Sequence, residues 1–324
     1  MNAAANHNFI SHDGITTFTE MVAASQNIYN MGWDLAVLLA ALAVAEDGDI
    51  ITEKCSIGRE ATSETGFLGG ILSGKEGGYN DHNKFEADTS LTRNDFFLDP
   101  HRDNFSFNGT LFGYMQASAA ATSKGLFDRE TMMAYQALRY RQSLADNGNF
   151  FYGPKAIILL GAATFVYHLF PSDGIVGIPN LPVTASFFGA VHDPSALGGY
   201  RHEPERIPPF WGNTPTPYGL LELLEEVTLF LITNPKENIF GGNVGRGNFI
   251  PLDFGPIKNG RLGSGDVPTV NDVACLIYQL LTDNTPSGLD GVINKSLEVI
   301  MWVAKKINPI FEQFGCPLVP LEDY

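Results

Sequence analysis

Trp33-Asp34-Leu35-Ala36-Val37-Leu38-Leu39-Ala40-Ala41-Leu42-Ala43-Val44-Ala45 is the segment on which the fold turns. From Leu35 to Ala45 every side chain is apolar. The run falls well short of the roughly 18 residues or more that a membrane-spanning helix needs, so it predicts a helix buried in a protein core. Upstream, Thr17-Phe18-Thr19-Glu20 has the Thr-x-x-Glu spacing of a capping box, in which a hydroxyl and a carboxylate satisfy the free amides of a first turn. Met21, Val22 and Ile28 continue a helical pattern, so a helix starts near Thr17. Downstream, further helices are predicted over Thr110–Thr122, Arg129–Ala145, Lys155–Phe170, Tyr218–Thr233, Val270–Leu281 and Leu289–Phe314. No β-branched alternating series competes with them. The expected class is all-α.

The chain has 324 residues, 44% of them hydrophobic, with no charged low-complexity run and no linker composition. It can therefore bury a sizeable core, and residues 1–324 are read as one compact multi-helix domain with long irregular loops. Lys and Arg total 20 against 36 Asp and Glu, a net charge of -16. That balance excludes nucleic acid and anionic membrane surfaces, both of which attract cations, and leaves a neutral or cationic small molecule open. Pro171–Pro217 and Lys236–Asp266 are rich in Pro, Gly and Asn and show no sustained period. Loops of that length inside a compact domain tend to be functional. Gly241-Gly242-Asn243-Val244-Gly245-Arg246-Gly247 lacks the preceding strand and the closing Gly-Lys-Ser/Thr of a phosphate loop, so it is not read as a nucleotide site.

Four stretches carry a family resemblance. Asn2 to Gly14, with Asn6-His7 at its centre, is similar to the N-terminal segment of the fungal haem-thiolate peroxidases, the chloroperoxidases and unspecific peroxygenases. Asp49-Ile50-Ile51-Thr52 and Ser56-Ile57-Gly58 resemble that family's Asn-Leu-Ile-Thr and Ser-Ile-Gly. The most specific match is His82-Asn83-Lys84-Phe85-Glu86-Ala87-Asp88-Thr89-Ser90-Leu91-Thr92-Arg93-Asn94-Asp95, which follows the signature His-x-x-x-Glu-(His or Gly)-Asp-x-Ser-x-(Thr or Ser)-Arg-x-Asp. The resemblance implies a chloroperoxidase-like helical fold, haem b and hydrogen peroxide. It also implies an axial cysteine in a Pro-Cys-Pro that the family places just ahead of the first stretch, upstream of Met1. The sequence as given carries no such cysteine and no signal peptide, and a late start would account for both losses.

In the family a divalent cation, Mg²⁺, binds a haem propionate beside the signature. The matching donors here are the Glu86 carboxylate, the Ala87 carbonyl and Ser90, hard oxygen ligands close together in sequence. The other reading of these residues is structural: Asp88 to Ser90 cap a helix opening near Leu91, with Arg93 and Asp95 paired on its surface. The resemblance also implies a disulfide between Cys275 and Cys316, against which stand two buried free thiols. A disulfide, and the sequons at Asn104, Asn108 and Asn294, would point to a secreted or vacuolar protein.

Peroxide cleavage at haem needs an axial thiolate and a distal acid-base group to move a proton between the two oxygens. Aligning Lys155–Phe170 with the family's distal helix on Phe165 and Leu169-Phe170 puts Ala162 at the glutamate position and Lys155 at the arginine, while Ala87 stands where some members have histidine. Neither usual proton carrier is present. Cys55 is a substitute iron ligand only in an electropositive setting; His168, His7 and His82 are read as structural. Gly161, Ala162 and Ala163 leave room on the distal side, and Phe165 with aromatics of the Phe187–Trp211 loop lines a pocket. The leading expectation is a peroxidase or peroxygenase-like oxidoreductase acting on a hydrophobic small molecule, in fungal secondary metabolism. The alternative is a haem-free descendant that binds a small molecule or catalyses a redox-neutral cyclisation or dehydration.

Overall fold

The computed structural model describes residues 1–71, 75–79, 88–172, 177–263, 267–282 and 296–321. Among these the helices are α1 (Asn2–Asn6), α2 (Phe18–Tyr29), α3 (Trp33–Asp47), α4 (Thr62–Thr65), α5 (Gly109–Ser123), α6 (Arg129–Asp146), α7 (Ala156–Leu169), α8 (Leu181–Phe188), α9 (Leu220–Thr233), α10 (Val270–Thr282) and α11 (Leu297–Phe311). The fold is helical, as expected. No described helix is long and apolar enough to cross a membrane.

The capping box at the start of α2 is complete: Thr17 Oγ1 accepts from the Glu20 amide at 3.2 Å, and the Glu20 carboxylate accepts from the Thr17 amide at 3.0 Å. Helix α3 is buried from Leu35 to Asp47 except at the half-buried Leu39. It packs between α2 on one side and α11 on the other. A helix that is apolar on every face has no solvent side and takes the centre of the core. From α11 the packing runs through α10 to α9, then α7, α6 and α5.

The entries to α3 and α9 lie side by side, bridged at Met31 and Tyr218. A Cβ on Gly32 would stand 2.7 Å from the Gly219 Cα, so only glycine permits this approach. Asp34 serves both helix starts, accepting from the Leu35 amide at 2.7 Å and the Leu220 amide at 3.2 Å, where a negative charge is favoured by both helix dipoles.

The two long loops are less irregular than the sequence suggests. Pro171–Pro217 contains α8 and a hairpin of Ala190–His192 with Tyr200–His202. Helix α8 is short, opened by an Asn180 cap on the Val183 amide and closed at Gly189 in the left-handed region, so it lacks the length for a visible period. In the second loop Gly241–Asn243 pairs with Phe151–Tyr152 and with Phe249–Pro251, so the glycine-rich segment is the central strand of a three-stranded sheet and the hairpin turn that follows it.

The Cys275–Cys316 disulfide is formed, with Cα atoms 5.1 Å apart, tying α10 to the chain just beyond α11. Within α11, Trp302 Nε1 donates to Glu53 at 3.0 Å and Lys306 Nζ lies 2.9 Å from the same carboxylate. These contacts hold α11 against the turn that follows α3.

Candidate active-site cavity

Helices α2, α3 and α7 enclose a cavity of about 450 Å³, within the range of roughly 300–1,000 Å³ usual for small-molecule sites. Helix α2 contributes Met21, Ser25 and Tyr29, spaced four apart and so on one stripe. Helix α3 contributes Ala36, Leu39 and Ala40, and α7 contributes Ile158, Phe165 and Leu169. Met1, Met31, Tyr79 and Phe170 complete the wall along with Leu42. No described lining side chain is charged.

Behind the wall lies a sulfur-rich contact. Tyr79 Oη donates to Met21 Sδ at 3.4 Å, and Cys55 Sγ lies 3.9 Å from the same sulfur. Cys55 is fully buried, and burial, with Asp47 and Glu76 adding to it, pushes its thiol up to about 12. A thiol in that setting stays protonated, and its sulfur is not on the cavity wall, so Cys55 is no substitute iron ligand.

An aromatic group braces one end of the cavity. Phe170 stacks on Phe187 at 4.2 Å between ring centres, and Trp211 meets Phe187 edge-on at 5.0 Å. Tyr29 packs against all three, at 6.0, 6.1 and 6.4 Å. Thus Phe165 lines the cavity directly, whereas Phe187 and Trp211 of the expected loop support the wall from behind. Burial pushes the Tyr29 phenol up to about 12.

Ala162 lies one turn from Ile158 and Phe165 on the same stripe of α7 and is not itself part of the wall. Gly161 turns instead toward α9, where an added Cβ would meet Leu223 at 3.3 Å, and Ala163 is core. The α7 stripe therefore delivers hydrocarbon and ring surface and no proton carrier. Lys155 precedes α7 and is engaged with Glu46, Nζ to Oε2 3.1 Å, away from the wall. His168 stacks on Tyr218 at 4.3 Å with Nε2 3.2 Å from Glu226, and His7 Nε2 accepts from the Ile207 amide at 3.0 Å. Both are structural contacts.

Glu86, Ala87 and His82 lie outside the described residues, so of the expected cation donors only Ser90 can be placed. Its carbonyl accepts from Arg139 Nε at 2.9 Å, which sets a guanidinium beside an oxygen expected to face Mg²⁺. Among the described residues no cluster of three or more His, Cys, Asp or Glu side chains is suited to a metal ion. The structural reading of this segment also changes. No helix opens at Leu91; Asp95 is buried and pairs with Arg139 at 3.3 Å, and Arg93 stacks over Phe107 at 6.0 Å. Asp88 accepts from Asn147 and from the Phe151 amide, and Thr89 Oγ1 accepts from Gln136. The signature segment is thus a buried polar knot that pins a loop to α6, not a surface helix cap.

Sequence reasoning missed one cluster. Glu226 on α9 accepts from Arg129 Nε at 2.8 Å and from Tyr167 Oη at 2.8 Å, beside His168. Its members come from three helices, so no local spacing announces it.

The family described as Peroxidase, family 2, matches residues 1–216 of this chain. An aromatic peroxidase, fscJ, of Fusarium equiseti is 26% identical over 98% of this chain and 74% of its own length. The dothistromin biosynthesis peroxidase dotB of Dothistroma septosporum is also 26% identical, over 98% of this chain and 77% of its own. An aromatic peroxygenase of Coprinellus radians is 30% identical over 56% of this chain and 67% of its own.

Proposed function

Because this chain belongs to peroxidase family 2, we propose that it is a peroxide-using oxidoreductase that receives an aromatic or other hydrophobic small molecule in the cavity between α2, α3 and α7. The observation that carries this reading is the cavity itself: about 450 Å³, uncharged, walled by hydrocarbon and aromatic rings, and placed against the helix that aligns with the family's distal side. The names of the Fusarium and Dothistroma relatives support an oxidation in fungal secondary metabolism.

Haem, when bound, would supply peroxide activation. The described wall does not fit the iron of a haem, because it offers no thiolate, and the one free described cysteine is a protonated, insulated thiol. An axial ligand would have to come from residues other than those described. The contribution of the described residues is confined to binding: they exclude water, hold a flat apolar molecule and keep charge away from it. The disulfide supports an oxidising compartment and hence a secretory route. Of the sequon asparagines, Asn108 is already committed, its Oδ1 capping α5 and its Nδ2 donating to Asn94 at 2.6 Å.

A second reading is favoured by Ala162, by Lys155 locked to Glu46, and by Cys55 insulated from the cavity: a haem-free protein that binds its ligand or catalyses a redox-neutral step. One experiment separates the two. The ultraviolet-visible spectrum of the protein purified from its natural source, with and without added haem and with carbon monoxide on the reduced form, is expected to show the Soret band of bound haem, at the red-shifted position where a thiolate is the ligand. No haem uptake would overturn the oxidoreductase reading and leave the redox-neutral one.

A further inference from the structure

The cavity wall carries three described hydroxyl groups, on Ser25, Tyr29 and Tyr79. The Tyr79 hydroxyl is directed at Met21 Sδ. Ser25 and Tyr29 are one turn apart on α2, so their side chains share a face, and neither hydroxyl is hydrogen-bonded to any described residue. The Tyr29 phenol, pushed up by burial, is a neutral O–H donor at physiological pH. Ser25 and Tyr29 are both half-buried on the cavity wall, so a ligand that displaces water from these hydroxyls is favoured when it brings an acceptor of its own.

The surroundings restrict that ligand further. Phe170, Phe187 and Trp211 hold the Tyr29 ring on several sides, so its hydroxyl is fixed before anything binds and little conformational freedom is lost on contact. The aromatic side chains Phe165 and Phe170 on the wall favour a flat ring system. No side chain among the described lining residues is charged, so an anionic ligand would find no side-chain counterion there.

We infer that Tyr29, with Ser25 beside it, is the polar anchor of this cavity, and that the ligand is a neutral, flat aromatic molecule carrying a carbonyl or phenolic oxygen that accepts the Tyr29 hydrogen bond. This rests on the reading that the cavity is the substrate site, and it names the substrate class and the residue that selects it. A site built to hydrogen-bond an oxygen discriminates against the hydrocarbon that lacks it, because the donor is then left unpaired.

The test uses 9-fluorenone and fluorene, flat tricyclic probes that differ at one carbon by a carbonyl oxygen, with binding to the purified full chain measured by equilibrium dialysis. The intact protein is expected to bind the ketone about tenfold more tightly, the effect of one net hydrogen bond. Tyr29→Phe, which keeps the ring and its packing, is expected to lose most of that preference while binding fluorene unchanged, and Ser25→Ala to lose a smaller part. Retention of the full preference in Tyr29→Phe would overturn the assignment. Equal binding of the two probes to the intact protein would also overturn it, leaving the cavity as the substrate site. Failure of both probes to bind would remove the cavity reading and the anchor together.

Discussion

Glu226 shows how much a single side chain can depend on residues far from it in sequence. Burial by itself would raise its carboxyl, but hydrogen bonds from His168, Arg129 and Tyr167 outweigh that and hold it at about 2, against 4.5 for an ordinary glutamate. A depressed acid contributes stability that is fully present above its unfolded value and lost as pH falls through its folded value. The contribution of Glu226 is therefore complete above about pH 4.5 and drains away toward about pH 2. Glu226→Gln should flatten the pH dependence of unfolding across that window relative to the intact protein. Parallel urea-unfolding curves for the two proteins at pH 2.5, 3.5 and 4.5 check this, and identical slopes would show that the cluster is not coupled to folding. None of this is legible in the sequence, where His168 reads simply as a helix histidine. The same holds for Cys55: its residue type suggests a ligand, and only its burial among Met21, Tyr79 and nearby carboxylates identifies an inert thiol.

Helices are the scale at which the sequence is most informative. The capping box at Thr17 fixes the start of α2 to the residue, and the predicted limits of α5, α6, α7 and α10 lie within one residue of those observed. These boundaries are set by local hydrogen bonds and by apolar spacing, both written along the chain. The segment from Leu91 is the counterexample: Asp88, Thr89 and Asp95 look like cap and surface residues, yet they are drawn into a buried network with Arg139, Gln136 and Asn147. Which partner such a polar residue takes is decided by the helix that packs over it, here α6. The cap on α2 has a direct test. Thr17→Ala removes one side of the box and is expected to cost about 1 kcal/mol of unfolding free energy, read as a lower denaturant midpoint with an unchanged slope. No change in midpoint would mean that the pairing of Thr17 with Lys54 already holds the turn.

Over the whole molecule, α3 forms the centre and the C-terminal helices close over it. The disulfide between Cys275 and Cys316 spans 41 residues, and a loop of that size is worth about 4 kcal/mol through the lost freedom of the unfolded chain. Cys275→Ser is expected to lower the melting temperature by several degrees, and a reducing agent should do the same to the intact protein. A melt insensitive to both would mean that α11 is held by its packing on α3 and by the Glu53 contacts alone.

The sequence by itself determined that the protein is helical, where most helices run, that α3 is buried, and which family the chain resembles. Each of these follows from side-chain hydrophobicity, local caps and short-range motifs, which need no knowledge of distant residues. By resemblance it also aligned Ala162 and Lys155 with the family's distal glutamate and arginine positions. The tertiary structure alone decided which residues share the cavity: Ser25 and Tyr29 from α2, Ala36 and Leu39 from α3, Phe165 from α7. It alone distinguished the rings that line the wall from Phe187 and Trp211, which brace it. The physical reason is that a cavity is a property of packing between elements, set by where small residues such as Ala36 and Ala40 leave space, and no single stretch of chain contains that information.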